Sequence, residues 1–283
     1  MSDSSQCPHC CATIHWNSNT CPECNNTFPT PNQRELLNDD ELQALQSRYQ
    51  LAKQKAEQDN TITELEQLEL TIKNDSKAII NIRIANLLSF LSSENNLLSN
   101  YNLQTESEIR LVAKIEEDRQ RRIAEAVLFP SYAKEIRYAA LSLDNKGLIS
   151  YGACSIFLKD SSMLYRASIL EENSFYFVEK NLGTIWNNGV PKGYRAVWTE
   201  RHLLAVIKLA DKLNGATISM TELLLKTNGN RAHDEFMEIH IYGALSFQSI
   251  EAIALPQAKN PREEMELSFI RDSANNKIEC INL

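Results

Sequence analysis

"EFMEIHIYGALSFQSIEAI", residues 235–253, is an apolar run rich in β-branched and aromatic residues that nevertheless carries glutamates at 235 and 238. That composition predicts a strand. Alternation puts Phe236, Glu238, His240 and Tyr242 on one face, and Glu235, Met237, Ile239 and Ile241 on the other. Met237, Ile239 and Ile241 mark the core side, so Glu238, His240 and Tyr242 are expected to line a cleft. A carboxylate withdrawn from water must be paired, hydrogen-bonded or used. Glu238 is the candidate for use. Glu235, at the strand's entrance, is the expected solvated group, and it stays open as the alternative functional carboxylate.

Outward from this run, the chain has 283 residues, a net charge of −8 and 43% hydrophobic residues, an ordinary globular composition with no global basic field. Its apolar stretches are broken by charge before they could span a bilayer, so no membrane association is expected. "MSDSSQCPHC" at the N-terminus lacks the basic and apolar segments of a secretory leader, and a cytoplasmic location is expected.

Glycine and proline divide the chain. All eight glycines lie at or after Gly147, and the 98 residues between Pro31 and Pro130 contain neither residue type. Three regions are expected: a zinc ribbon over 1–31, a helical stalk over 32–130, and an α+β domain over 131–283. In the middle region Leu42, Leu45, Tyr49, Ala52 and Ala56 are spaced three and four apart. Leu65, Leu68 and Ile72 resume the seam, and Ile80, Ile84, Leu87 and Leu91 continue it. Such a seam predicts a coiled coil or a helical hairpin, and it could also pair with a second copy of the chain. Beyond it, "YGACSIFLK", "MLYRASIL", "SFYFVEK", "YRAVW" and "EIHIYGAL" predict strands, whereas "TERHLLAVIKLADKLN" and "SMTELLLKTN" predict helices.

Five of the seven cysteines fall within the first 24 residues. Cys7 and Cys10 form one Cys-x-x-Cys pair, Cys21 and Cys24 a second, ten residues on. Two such turns can aim four thiolates at one point, which is the donor set of a structural, tetrahedral Zn²⁺. The segment has little apolar core, so the metal would supply its folding free energy. Cys11, His9 and His15 are weaker ligand candidates. Between Met1 and Arg34 the segment has Asp3 and Glu23 but no Lys or Arg, which favours a protein partner or a structural role over a phosphate backbone. Trp16 and His15 could still stack on a base.

Three pieces of the last region stand in a particular order: "MLYRASI" with Arg166, then "GYRAVWTERHLLAVIKLA" running from strand into helix, then "EIHIYGALSFQSIEAI" opening on Glu238. In this order, over about residues 145–256, the chain resembles the ADP-ribosyltransferase superfamily, in particular its DNA-modifying and bacterial toxin or phage-defence members. The resemblance implies an ADP-ribosyltransferase-like fold for the C-terminal domain and NAD⁺ as substrate, with Glu238 and Arg166 as catalytic residues. It further implies that Arg166, Tyr194, Trp198, Thr199 and His240 contact the dinucleotide. A toxin of this kind implies an antitoxin or other neutralising protein partner and a nucleic-acid or protein target. The Glu-x-Glu pair of arginine-modifying members is replaced by Glu235-x-x-Glu238. Chemistry gives Glu238 an independent rationale, because cleavage at ribose C1′ builds an oxocarbenium-like charge that a fixed carboxylate stabilises. The competing expectation is a non-catalytic adaptor, in which ribbon and helices recognise a protein or a nucleic acid.

Overall fold

The computed structural model describes residues 4–15, 18–98, 116–213, 219–227, 231, 234–274 and 277–283. It is a mixed α+β fold with a small two-stranded ribbon at one end and an eight-stranded sheet. Strands β1 (Ser4–Gln6) and β2 (Thr13–His15) pair antiparallel in the ribbon. Then come helices α1 (Pro31–Arg34), α2 (Asp39–Gln58) and α3 (Ile62–Asp75), strand β3 (Lys77–Ile82) and helix α4 (Ile84–Leu91). After them lie α5 (Glu116–Leu128), β4 (Ile136–Ser142), β5 (Cys154–Leu158), β6 (Ala167–Leu170), α6 (Ser174–Asn188) and β7 (Arg195–Val197). The chain closes with α7 (Arg201–Leu209), α8 (Met220–Leu224), β8 (Glu238–Tyr242), β9 (Ile250–Leu255), α9 (Pro261–Ala274) and β10 (Glu279–Asn282).

The large sheet runs β10-β9-β5-β3-β4-β8-β6-β7, antiparallel throughout except for the β9–β10 pair. One face carries the main core. Leu45 of α2, Leu65, Leu68 and Ile72 of α3, Leu204 and Leu209 of α7 and Leu267 and Ile270 of α9 pack there with Ile156, Ile169, Ile239 and Ile241. The opposite face is covered over β4, β8 and β6 by α5 and α6, through Leu128, Phe129, Phe177 and Val178 against Ile136, Leu170 and Tyr242.

The described residues do not form the expected helical stalk over 32–130. α2 and α3 are helices with the predicted buried positions, but their seam docks on α7 inside the fold. A three-and-four apolar spacing marks any helix with one buried side, so it does not distinguish a coiled coil from a helix laid on a sheet. Ser76 ends α3, and "KAIINI" becomes β3, hydrogen-bonded between β4 and β5 near the middle of the sheet. Ile79, Ile80 and Ile82 suit that place, because a central strand needs apolar residues on both faces and β-branched side chains pack well on a pleat.

A second difference concerns "SFYFVEK", which is the start of α6 and not a strand. Asn173 caps that helix, its Oδ1 accepting from Phe175 N at 2.9 Å. Phe177 and Val178 are buried, three and four residues after the equally buried Ser174, so a helical period underlies the aromatic-rich composition.

Candidate metal centre and acidic cleft

The two cysteine pairs have the same backbone. Cys7 N donates to Ala12 O and Cys11 N to Cys7 O; Cys21 N donates to Asn26 O and Asn25 N to Cys21 O. The fifth residue of each turn, Cys11 or Asn25, takes a left-handed conformation, with φ of 60° and 57°. Cys11 is thus the turn-closing residue of its knuckle, equivalent to an asparagine in the other. The ligand atoms of Cys7, Cys10, Cys21 and Cys24 all lie within 4.8 Å of one another. Cys7 Sγ and Cys24 Sγ are 3.7 Å apart, and Cys10 Sγ and Cys21 Sγ 3.6 Å. A tetrahedron of sulfurs at about 2.3 Å from zinc has edges of about 3.8 Å, so the spacing fits the ion. His9 N and Asn26 Nδ2 donate to Cys7 and Cys24 sulfurs at 3.4 and 3.5 Å, which suits thiolates. These four residues could hold a metal ion, and the donor set is that of structural zinc.

The ribbon is tied to the body by the segment after it. Arg34 lies over the Phe28 ring and donates to Pro29 O and Ser18 O. Asn32, fully buried, donates from Nδ2 to Arg166 O, Ser168 Oγ and His240 O at 3.2, 3.1 and 3.0 Å. Gln33 Nε2 donates to Leu164 O and Ala167 O.

Glu238 is the first residue of β8 and is 6% exposed. Its Oε2 accepts from Ser174 N at 2.9 Å, and its Oε1 from Ser174 Oγ at 3.1 Å. His240 Nε2 lies 3.2 Å from the same Oε1. Ser174 opens α6, so the carboxylate sits at the positive end of a 15-residue helix. Beyond it is an open cleft between α5 and the sheet, with a cavity volume of about 140 Å³. Besides Glu238 and Ser174 its polar lining includes Arg121 and Glu125 of α5, Tyr138 of β4 and Tyr151. Tyr138 Oη donates to Glu125 Oε1 at 3.0 Å. Burial pushes the Tyr138 phenol well up, and Glu125 and Glu238 push it further, so it keeps its proton and remains a donor.

His240 sits behind Glu238 with Phe129 and Tyr138 rings edge-on at 4.7 and 5.6 Å. Its Nδ1 is buried with no hydrogen-bond partner, while its Nε2 donates towards Glu238. Glu235 is exposed, and Lys212 Nζ, 3.1 Å away, holds its carboxyl below the usual range.

Arg166 immediately precedes β6, at the end of that strand remote from Glu238. Leu170 pairs with Glu238, and Ala167 with Ile241. The Arg166 guanidinium donates to Ser162 O and Ala244 O, tying down the turn after β8. Trp198 is fully buried in the core on the other face of the sheet, its Nε1 donating to Asp160. Thr199 next to it is exposed. Tyr194 stacks beneath the Arg48 guanidinium at 3.6 Å and touches Phe177. The expected NAD⁺ set is therefore dispersed: only Glu238 and His240 of it come together. Arg166 and Trp198 fail as cleft residues for a simple reason: strand order says nothing about which end, or which face, a side chain occupies.

The polar residues that do meet Glu238 were not legible as a group. Ser174 opens the stretch "SFYFVEK" expected to be a strand, Glu125 falls in the expected helical stalk, and Tyr138 lies on β4, a strand outside those expected. A faint signal existed in "EENSFYF", where an asparagine before a serine and a period-three apolar pattern mark a helix start beside a strand end. Trp16 lies outside the described residues. Among the described residues no helix is long and apolar enough to cross a membrane. No family model matches the chain, and a search of curated proteins also finds no match.

Proposed function

We propose that the cleft binds NAD⁺ and that the chain is an ADP-ribosyltransferase, with Glu238 as the catalytic carboxylate. The observation that carries this reading is a buried glutamate opening a strand, oriented by three donors and facing an open cleft. A carboxylate fixed in this way needs no reorganisation when positive charge develops at ribose C1′. Arg121, Tyr138 and Tyr151 are the cleft's candidates for pyrophosphate and ring contacts, in place of Arg166 and Trp198.

The zinc knuckles serve the transferase as a structural or partner-binding module. As a toxin-like enzyme in phage defence or a toxin–antitoxin pair, it would modify nucleic acid or protein and require a neutralising protein. The seam residues Leu45, Tyr49, Leu65, Leu68 and Ile72 are spent within the fold, so a partner or a second copy would use another surface.

The test is transfer of labelled ADP-ribose from NAD⁺ into a cell lysate, comparing wild type with Glu238→Gln at equal thermal stability. Label sensitive to nuclease or to protease identifies the acceptor. Absence of both labelling and NAD⁺ consumption by folded wild-type protein would leave the adaptor reading.

A further inference from the structure

Glu238 is not the only carboxylate in the cleft. Glu125 projects from α5, is 6% exposed and lines the same space. The two come from opposite walls: Glu238 is held by α6 and the sheet, Glu125 by a helix laid over it. Tyr138 links the walls. It pairs with His240 across the β4–β8 ladder, while Ala140 pairs with Glu238. Tyr138 is thus the diagonal neighbour of Glu238, about 7–8 Å away along the backbone. Its hydroxyl reaches up to Glu125.

Displacement at an anomeric carbon commonly divides its work between two carboxylates, one stabilising the sugar cation and one handling a proton. Glu238, with three donors on it, is placed for the first task. We propose that Glu125, aimed by Tyr138, is the general base that takes the proton from the acceptor. This assignment rests on the transferase reading. As the bond from C1′ to nicotinamide breaks, nicotinamide leaves neutral with the bonding electron pair. The acceptor's oxygen or nitrogen forms the new bond to C1′, and its proton passes to Glu125 and then to water. The acceptor class is accordingly a hydroxyl or an N–H group that must lose a proton, whether on a base, a sugar or a side chain. No co-reactant beyond NAD⁺ and acceptor is needed. Arg121, one turn earlier on α5 and lining the same cleft, places positive charge where the pyrophosphate would lie.

Azide separates the roles, because it attacks C1′ without having a proton to give up. Glu125→Gln is expected to bind NAD⁺ within about threefold of wild type and to lose about 10²–10⁴-fold in transfer to the natural acceptor. Sodium azide should then restore NAD⁺ cleavage by about tenfold or more, with ADP-ribosyl azide visible by mass spectrometry, and should not rescue Glu238→Gln. Tyr138→Phe, which keeps the ring, should lower transfer by about tenfold with the same azide response, and it decides the matter should Glu125→Gln not fold. Wild-type transfer by Glu125→Gln or by Tyr138→Phe, or no azide response in a variant that still binds NAD⁺, would overturn the assignment while leaving the transferase standing. Failure of the wild-type protein to bind or consume NAD⁺ would instead sink the transferase reading and this assignment together.

Discussion

On one face of β8, Met237, Ile239 and Ile241 meet the leucines and isoleucines of α2, α3 and α7; on the other, Glu238 and His240 meet a serine and the edges of two aromatic rings. Both faces are buried, and all five strand residues are nearly inaccessible. Burial alone therefore does not separate a packing face from a working one. The polar face has its hydrogen bonds supplied at fixed positions, by the first residue of a helix and by an imidazole, and a carboxylate so provided for needs a reason. Glu235, three residues earlier, shows what an ordinary glutamate of this chain does: it stays in water beside a lysine.

The largest perturbation tests whether these faces stand without the ribbon. Structural zinc contributes on the order of 10–16 kcal/mol of binding free energy in isolated knuckles, so a strong chelator should abolish protease protection of residues 4–28. Hydrogen exchange on β8 should hardly change. A loss of protection there would mean that the polar face leans on the ribbon through Asn32, which donates to His240 O.

On the packing face, Ile239→Ala should cost about 2–5 kcal/mol in denaturant unfolding, the usual range for a buried isoleucine. A cost below about 1 kcal/mol would show that the core collapses readily around the gap. On the polar face, His240→Leu removes a donor from Glu238 and should cost about 1–3 kcal/mol, with a fall in NAD⁺ turnover that Ile239→Ala does not share. Equal effects of the two on turnover would erase the distinction between the faces.

Lys208 of α7 gives a pH-dependent signature. Burial pulls its ammonium down to about 8, against about 10.5 for an exposed lysine, with Lys212 adding repulsion. Between these values the unfolded chain holds the proton that the folded one has lost, so stability rises with pH across that window and is depressed below about pH 8. Lys208→Met should therefore stabilise at pH 7, with the gain fading by about pH 10.5. The smallest effect belongs to Glu235→Gln, a few tenths of a kcal/mol at most, as for an exposed ion pair. Its folded carboxyl is lowered, so even that contribution is present above about pH 4.5 and is lost as pH falls through the folded value.

Much of this fold was legible where a pattern is local. The knuckle spacing placed four thiols together, and strand composition found β5 to β8 apart from the segment that became α6. Alternation along β8 correctly set Glu238 and His240 against Ile239 and Ile241. What failed was non-local. The period of α2 and α3 was read correctly but assigned to the wrong partner, since a helix seam does not name what it packs on. β3 was hidden because Ile80 also continues a helical spacing into Ile84, Leu87 and Leu91, and only pairing with β4 and β5, more than 50 residues away, makes it a strand. The cleft assembles from α5, β4, α6 and β8, and nothing in any one of these segments points to the other three.

The anchor formed by Thr30, Asn32 and Gln33 has a consequence for how the chain comes to be. Its hydrogen bonds reach residues 131 to 208 positions further on, and β3 needs β4 and β5 before it has neighbours. A ribosome delivers the first hundred residues long before those partners exist. The ribbon can close early around a metal ion, but β3 must wait for β4 and β5, and Asn32 for His240. A chain stalled before β8 would therefore keep its carboxylate site unbuilt and the Asn32 anchor incomplete.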